Sequence, residues 1–229
     1  MRKTFLLAML SLLSMSLMAQ TGVTQFLGIP IDGSKPEMIQ KLKAKGFTSS
    51  LYDRNILEGE FNGKNVNLYI VTNNNKVYRI MVADATPTDE TNIKINFNNL
   101  CRQFGNNKKY IPAANSVEDF ILSDDEDIDY EMLAHNKRYE AAFYQIPNLT
   151  DSIALQKEIH AFLLTKYTED ILNNPTEEQQ AEIGKTTMQY LDDKITKNSV
   201  WFMISENYGK FTINIFYDNE NNKANGEDL

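Results

Sequence analysis

The first regular pattern in the chain has the spacing of an amphipathic helix. Ser34 is a suitable N-cap, and it is followed by Pro36 and Glu37 in what would be the first turn. Met38, Ile39 and Leu42 then form one apolar stripe, and Gly46 stands where a helix C-terminal cap belongs. The pattern predicts a short helix between Ser34 and Gly46.

From Ile56 to Ala83 the apolar period changes to two. Leu57–Phe61, Asn65–Thr72 and Lys76–Ala83 read as strands, separated by Asn62-Gly63 and by an asparagine run at 73–75. Asn-Gly between two alternating runs is a strong hairpin signal. The segment therefore predicts a three-stranded antiparallel meander.

A second helix is predicted after the turn residues 85–90, with Thr88 or Asp89 as its cap. Its apolar face contains Ile93, Phe97, Leu100, Cys101 and Phe104, and Gly105 ends it. Because Cys101 lies within the apolar stripe, it is interpreted as a buried thiol, not as a reactive nucleophile.

The rest of the chain alternates between hairpin and helix patterns. Two alternating runs near 129–133 and 138–146 predict a second hairpin, and 200–205 with 210–218 predict a third. Helical patterns cover 152–172 and the segment after Pro175. In the last strand Phe211, Ile213, Ile215 and Tyr217 would share one face.

This order predicts an α+β fold. Its antiparallel sheet would be built from hairpins and the meander, with helices mainly on one face. The predicted division is a helix–meander–helix module at 20–114, a second α+β module at 115–218 and a mobile polar tail at 219–229. A boundary is expected near Pro112–Ser116, although one sheet shared by both modules is equally compatible.

The N-terminus has the pattern of a cleaved signal peptide. Arg2 and Lys3 precede an apolar run at 5–18, and Ala19 offers a small residue at the cleavage point. The run is shorter than the roughly 20 residues of a membrane-spanning helix, so an anchor is the weaker interpretation. The segment contains no cysteine, so a lipoprotein acylated on a cysteine at the cleavage site is excluded. We expect a mature chain from residue 20, periplasmic or secreted.

Charge and cysteine content limit the partners and the redox chemistry. The formal net charge is −8, and removing Arg2 and Lys3 would make it −10. An acidic chain lacks the basic patch that nucleic acid binding needs, so no nucleic acid partner is expected. Cys101 is the only cysteine, so an intramolecular disulfide cannot form.

The acidic run at 123–129 is the first candidate site. Asp125, Asp127 and Asp129 match the opening of a calcium-binding loop. The match then fails, because Tyr130 stands in place of the loop glycine and Asn136 in place of the bidentate glutamate. We interpret the run as a solvated acidic loop and keep these aspartates as weak cation candidates.

Catalytic motifs are not recognisable. The two histidines, His135 and His160, have no second ligand at zinc spacing, and no nucleophile elbow or phosphate loop is present. Glu58 and Glu60 could share a strand face, as a glycosidase pair would require, but we interpret them as the solvent-facing half of an alternating strand. The catalytic residues are therefore unknown, and no cofactor is expected.

Asp151-Ser152-Ile153 resembles the short acceptor used for O-glycosylation in Bacteroides-type bacteria. Ser152 is accordingly a glycosylation candidate, while Asp151 would serve equally well as a helix cap.

Three stretches carry a wider resemblance: the signal ending Ala19-Gln20, the run 26–33 and the run 71–80. Together they resemble a group of secreted proteins of Bacteroides-type gut bacteria that carries no known activity. The helix followed by a meander is more distantly similar to outer-membrane assembly lipoproteins and β-lactamase-inhibitor-like modules, which lack enzymatic activity and act by binding. Here their lipobox cysteine is missing.

These observations favour an exported binding or interaction module of the bacterial envelope, with a protein or glycan partner and no membrane span. The alternative is a hydrolase acting on envelope or dietary glycan or peptide.

Overall fold

A computed structural model describes residues 22–146 and 152–224 of the chain. Within these ranges eight strands form one antiparallel sheet, in the order β3-β4-β5-β6-β10-β9-β8-β7. The strands of this sheet are β3 Thr48–Ser49, β4 Ile56–Phe61, β5 Lys64–Asn73, β6 Lys76–Asp84, β7 Tyr110–Pro112, β8 Glu140–Gln145, β9 Ser199–Asn207 and β10 Lys210–Asp218. The predicted α+β class with an antiparallel sheet is confirmed.

A small hairpin and six α-helices complete the described part. The hairpin pairs β1 Gln25–Phe26 with β2 Ile29–Pro30. The helices are α1 Lys35–Ala44, α2 Glu90–Asn106, α3 Ile128–His135, α4 Ser152–Leu164, α5 Glu169–Asn173 and α6 Glu177–Thr196. Short 3₁₀ helices occupy Val117–Phe120 and Glu220–Asn222. Over this part of the chain, no helix has both the length and the hydrophobicity needed to cross a bilayer.

One hydrophobic core lies between the sheet and helices α1 and α2. Alternate residues of the central strands point to it and are buried, and so are Met38 and Leu42 of α1. The α2 stripe predicted from its spacing is buried as well. The predicted face of the last strand is confirmed, since Phe211, Ile213, Ile215 and Tyr217 are all at most 7% exposed.

The strand order reveals an internal duplication. Each repeat consists of a helix followed by one short and three longer strands of the sheet. The first repeat contains α1 and β3–β6, and the second contains α2 and β7–β10. The two halves meet where β6 pairs with β10, and Val82 lies opposite Ile215 at that junction. Antiparallel pairing of equivalent strands places a pseudo-two-fold axis between these two residues.

Equivalent positions in the two halves have equivalent burial. Val66, Leu68 and Ile70 of β5 correspond to Val200, Phe202 and Ile204 of β9, and all six side chains are buried. The main difference is an insertion. A two-residue turn joins β4 to β5, whereas residues 146–198 join β8 to β9 and contain α4, α5 and α6. The sheet and its core thus continue across the predicted boundary near Pro112–Ser116.

Two element predictions were wrong. The run near 129–133 is helix α3, not a strand, because Asp127 caps it by accepting a hydrogen bond from the Tyr130 amide at 2.9 Å. The buried Ile128 and the partly buried Met132 are four residues apart, a spacing that suits a helix as well as a strand. The long helix expected at 152–172 is divided, since Thr168 caps a new helix at Glu169.

The first residues of the predicted tail belong to the folded body. Asn219 is 1% exposed, and its side-chain amide donates to the Ile31 carbonyl at 2.7 Å. The Asn222 amide similarly donates to the Asp32 carboxylate at 2.8 Å. The polar side chains of Asn219 and Asn222 therefore form hydrogen bonds to the N-terminal segment.

Candidate functional site

A cavity of about 550 Å³ opens between helix α2, the β1–β2 hairpin and the ends of strands β4, β8 and β10. Its apolar wall is formed by Leu27, Phe61, Leu100, Phe104 and Ile146. Leu100 and Phe104 lie one turn apart on α2, whose other apolar residues face the core. The same helix face therefore anchors the fold and lines the cavity.

Carboxamides provide the first set of polar groups. Asn62 and Gln103 are hydrogen-bonded to each other in the cavity wall, with the Asn62 amide donating to the Gln103 carbonyl oxygen at 2.7 Å. On the opposite side Gln145 is fixed by the backbone of Gln25, accepting from its amide at 2.6 Å and donating to its carbonyl at 3.0 Å. Asn107, the C-cap of α2, completes this set.

Two tyrosines supply hydroxyl groups to the cavity. The amide of Gln145 donates to the Tyr110 hydroxyl at 3.2 Å. Burial raises the pKa of Tyr110 and raises that of Tyr217 well above 10. Both phenols are therefore neutral at physiological pH and remain hydrogen-bonding groups without charge.

Lys108 and Lys109 carry the only formal charges among the described residues that line the cavity. Both lysines are exposed and follow directly after the C-terminus of α2. The described residues of this cavity wall include no aspartate, glutamate, histidine, serine or cysteine. It can bind a ligand by apolar contact and hydrogen bonding, but it has no evident nucleophile or carboxylate acid–base pair.

Leu27 projects at the rim of the cavity from a strained turn. The two-residue turn of the β1–β2 hairpin requires positive φ at both positions, and φ is 51° at Leu27 and 77° at Gly28. Glycine adopts this conformation freely, whereas leucine has a clash between its Cβ and the following carbonyl oxygen. Leu27 is also 38% exposed, so burial of its side chain does not explain the strain.

The cation candidates Asp125, Asp127 and Asp129 do not line the cavity. Among the described residues no group of three or more histidine, cysteine or acidic side chains could hold a metal ion. Asp125 and Asp127 are exposed, and Asp127 is used as the cap of α3. Asp129 is half-buried on that helix, and one of its carboxylate oxygens is buried without a hydrogen-bond partner among the described residues.

Glu58 and Glu60 do share the exposed face of β4, as the alternation indicated, but neither lines the cavity. His135 ends α3 and contacts Glu131 at 2.9 Å, and His160 is exposed on α4. Ser152 begins α4. Asp151, which precedes it in the predicted acceptor motif, lies outside the described residues, as does the signal segment.

The interpretation of Cys101 as a buried thiol is confirmed, since its side chain is 0% exposed. Burial raises its pKa to about 12. Because only the thiolate reacts, we expect the native protein to react with a disulfide reagent at pH 8 about a thousandfold more slowly than the urea-unfolded chain. The rate of thiol modification with and without urea measures this. Comparable rates in both would contradict the assignment.

Sequence patterns alone missed the cavity. Its lining comes from positions between Val23 and Tyr217, and no pair of neighbouring motifs marks it. The one local signal was the dibasic pair Lys108-Lys109 directly after a helix in an acidic chain. No protein-family model, curated protein or solved structure matches this chain significantly, so the cavity must be interpreted from its own chemistry.

Proposed function

We propose that the protein is an exported module of the bacterial envelope that binds a small ligand, or a small group on a larger partner, in the cavity beside α2. The observation that carries the proposal is the composition of the cavity wall. It combines an apolar side with fixed amides and neutral phenols, and among the described residues it contains no evident nucleophile or acid–base pair.

The size of the cavity supports binding. About 550 Å³ falls within the range of small-molecule sites, which is roughly 300–1,000 Å³. Part of the wall is preformed, because Gln145 is held at both ends of its amide group and Phe104 packs edge-on against Tyr110 with ring centroids 4.7 Å apart. A preformed site loses little conformational entropy when the ligand binds.

Export follows from the N-terminal segment in this proposal. A positive start, an apolar run and Ala19 at its end are the features of a cleaved signal peptide. The mature chain would then start next to Val23, a residue of the cavity wall.

The hydrolase alternative has no comparable support. Glu58 and Glu60 lie on an exposed strand face, and a nearby shallow depression includes Glu58 without Glu60. Two carboxylates converging on a pocket, which glycoside hydrolysis requires, are not found among the described residues lining the main cavity.

Ligand capture tests the proposal. The mature chain from residue 20 is incubated with an extract of envelope from its native host, repurified and analysed by native mass spectrometry. We expect a stoichiometric adduct on the wild type and its loss in Gln103→Trp, because an indole at this exposed position of α2 would fill the opening.

The matched control is Gln40→Trp, which makes the same change on the exposed side of α1, away from the cavity. This variant should keep the adduct. An adduct that persists in Gln103→Trp, or the absence of any adduct on the wild type, would reject the cavity as a binding site.

A further inference from the structure

We propose that the cavity selects a small amphipathic carboxylate, an organic acid with an apolar body. The acid group would lie at Lys108 and Lys109, and the body against Leu27, Leu100 and Phe104. This inference rests on the proposed binding function and specifies the chemical class of its ligand.

The distribution of charge is the first argument. The chain has 31 acidic and 23 basic side chains, yet none of the described residues that line the cavity is acidic. Two adjacent lysines are therefore the charged groups of the described cavity wall, although the protein as a whole is acidic. An anion is attracted to such a site, and a cation gains nothing there.

The second argument is that neither lysine has another evident role. Lys64, Lys94, Lys137, Lys194 and Lys223 each form an ion pair with a carboxylate. Lys108 and Lys109, like most other lysines, form no ion pair with any residue in the described ranges. Their ammonium groups can therefore bind a ligand carboxylate without first releasing one of these carboxylates.

The apolar wall supplies the complementary half of the site. Leu100 and Phe104 are 8% and 7% exposed, and both line the cavity. An apolar body packed there would remove this surface from water, which stabilises the complex in proportion to the area covered. The amides of Asn62 and Gln103 lie at the opening and can bind further polar groups of the ligand.

Leu27 supports the same assignment from backbone strain. A leucine in the left-handed region at a hairpin tip is unfavourable, and asparagine would fit the turn better. Strain of this kind concentrates at ligand-binding positions. Here the strained residue adds an apolar side chain to the cavity lining, where it can contact the body of a bound ligand.

The test uses three probes with a ten-carbon chain, titrated calorimetrically into the mature chain. The two ionic probes are kept below their critical micelle concentrations and decanol below its solubility limit. Decanoate should bind, decanol should bind at least about tenfold more weakly, and decyltrimethylammonium should not bind, because only decanoate gains the charge-assisted hydrogen bonds. The double variant Lys108→Gln/Lys109→Gln should lose about tenfold in decanoate affinity and keep its affinity for decanol.

The control is Lys41→Gln/Lys43→Gln. It removes two exposed lysines from the last turn of α1, so it matches the change in total charge and the position near a helix C-terminus. This variant should bind decanoate like the wild type. A general charge effect would instead weaken both double variants equally and overturn the proposed role of Lys108 and Lys109.

A second variant separates binding from folding. Leu27→Asn relieves the strained turn, so we expect its melting temperature to rise by about 2–4 °C. We also expect its decanoate affinity to fall, because the apolar rim is lost. A variant with unchanged affinity would overturn the role of Leu27, and a lowered melting temperature would overturn the strain argument.

The outcomes distinguish this inference from the function on which it rests. Equal affinity for decanoate and decanol, or no binding of any probe, would overturn the carboxylate class, while the envelope adduct would still stand. Decanoate binding that is unaffected by Gln103→Trp would place the ligand outside the cavity and overturn this inference. In that case the proposed binding function would still be tested separately, by whether the adduct from the envelope extract is lost in Gln103→Trp.

Discussion

Replacing Asp218 by asparagine is expected to lower the free energy of unfolding by about 3–4 kcal/mol, because it leaves a largely buried guanidinium without its counter-charge. Asp218 is 1% exposed and accepts two hydrogen bonds of 2.6 Å from Arg79. The pKa of Arg79 is raised by this hydrogen bonding. The neutral amide would keep the shape of the carboxylate but not its charge.

The surroundings of the pair explain the size of the effect. The Trp201 indole donates to Asp218 at 3.1 Å, and the Arg79 guanidinium lies 5.0 Å from the centre of the Phe216 ring. Thr24 donates from the N-terminal segment to the Asp218 carbonyl. Asp218 therefore joins β6, β9, β10 and the N-terminal segment.

Urea denaturation followed by tryptophan fluorescence measures the prediction, since Trp201 is the only tryptophan and contacts Asp218 directly. Glu140→Gln is the control. It removes the same charge from an exposed pair with Arg138 and should change the stability by less than about 1 kcal/mol. The double variant Arg79→Met/Asp218→Leu should recover much of the loss, because it leaves no unpaired charge. A loss below about 1 kcal/mol in Asp218→Asn would contradict the argument.

The strands were predictable because their signals are local and redundant. In β5 the alternation of Val66, Leu68 and Ile70 with polar residues agrees with the Asn62-Gly63 turn that precedes it. Two independent signals therefore give the same register. Helix α3 had only one ambiguous signal, since the spacing of Ile128 and Met132 fits either period over so short a segment.

The duplication and the cavity were not predictable for a different reason. Both depend on the pairing of β6 with β10, which brings residues more than a hundred positions apart into register. No periodicity within either strand specifies its partner, because any antiparallel neighbour with a matching apolar face is acceptable. The cavity is created only after this pairing places Tyr217 near α2 and Phe61.

The continuous core predicts that both halves of the duplication unfold together. Leu68 in β5 and Phe202 in β9 are equivalent positions, and both are 0% exposed. Phe202 packs on Phe97 and Phe104, with ring centroids 5.1 and 5.5 Å away. Truncation to alanine removes these contacts and leaves a cavity, so we expect losses of about 3–5 kcal/mol for Phe202→Ala and about 2–5 kcal/mol for Leu68→Ala.

Each variant should shift the same single transition, even though the substitutions lie in different halves, because the hydrophobic cluster and the β6–β10 pairing join them. Far-ultraviolet circular dichroism follows the whole fold, and Trp201 fluorescence follows the second half. The two curves should coincide for wild type and for both variants. Phe202→Leu, which keeps most of the buried volume, should cost less than about 1.5 kcal/mol. A Leu68→Ala protein whose fluorescence transition stays at the wild-type midpoint would show instead that the halves unfold as separate domains. Destabilising the first half would then leave the stability of the second half unchanged.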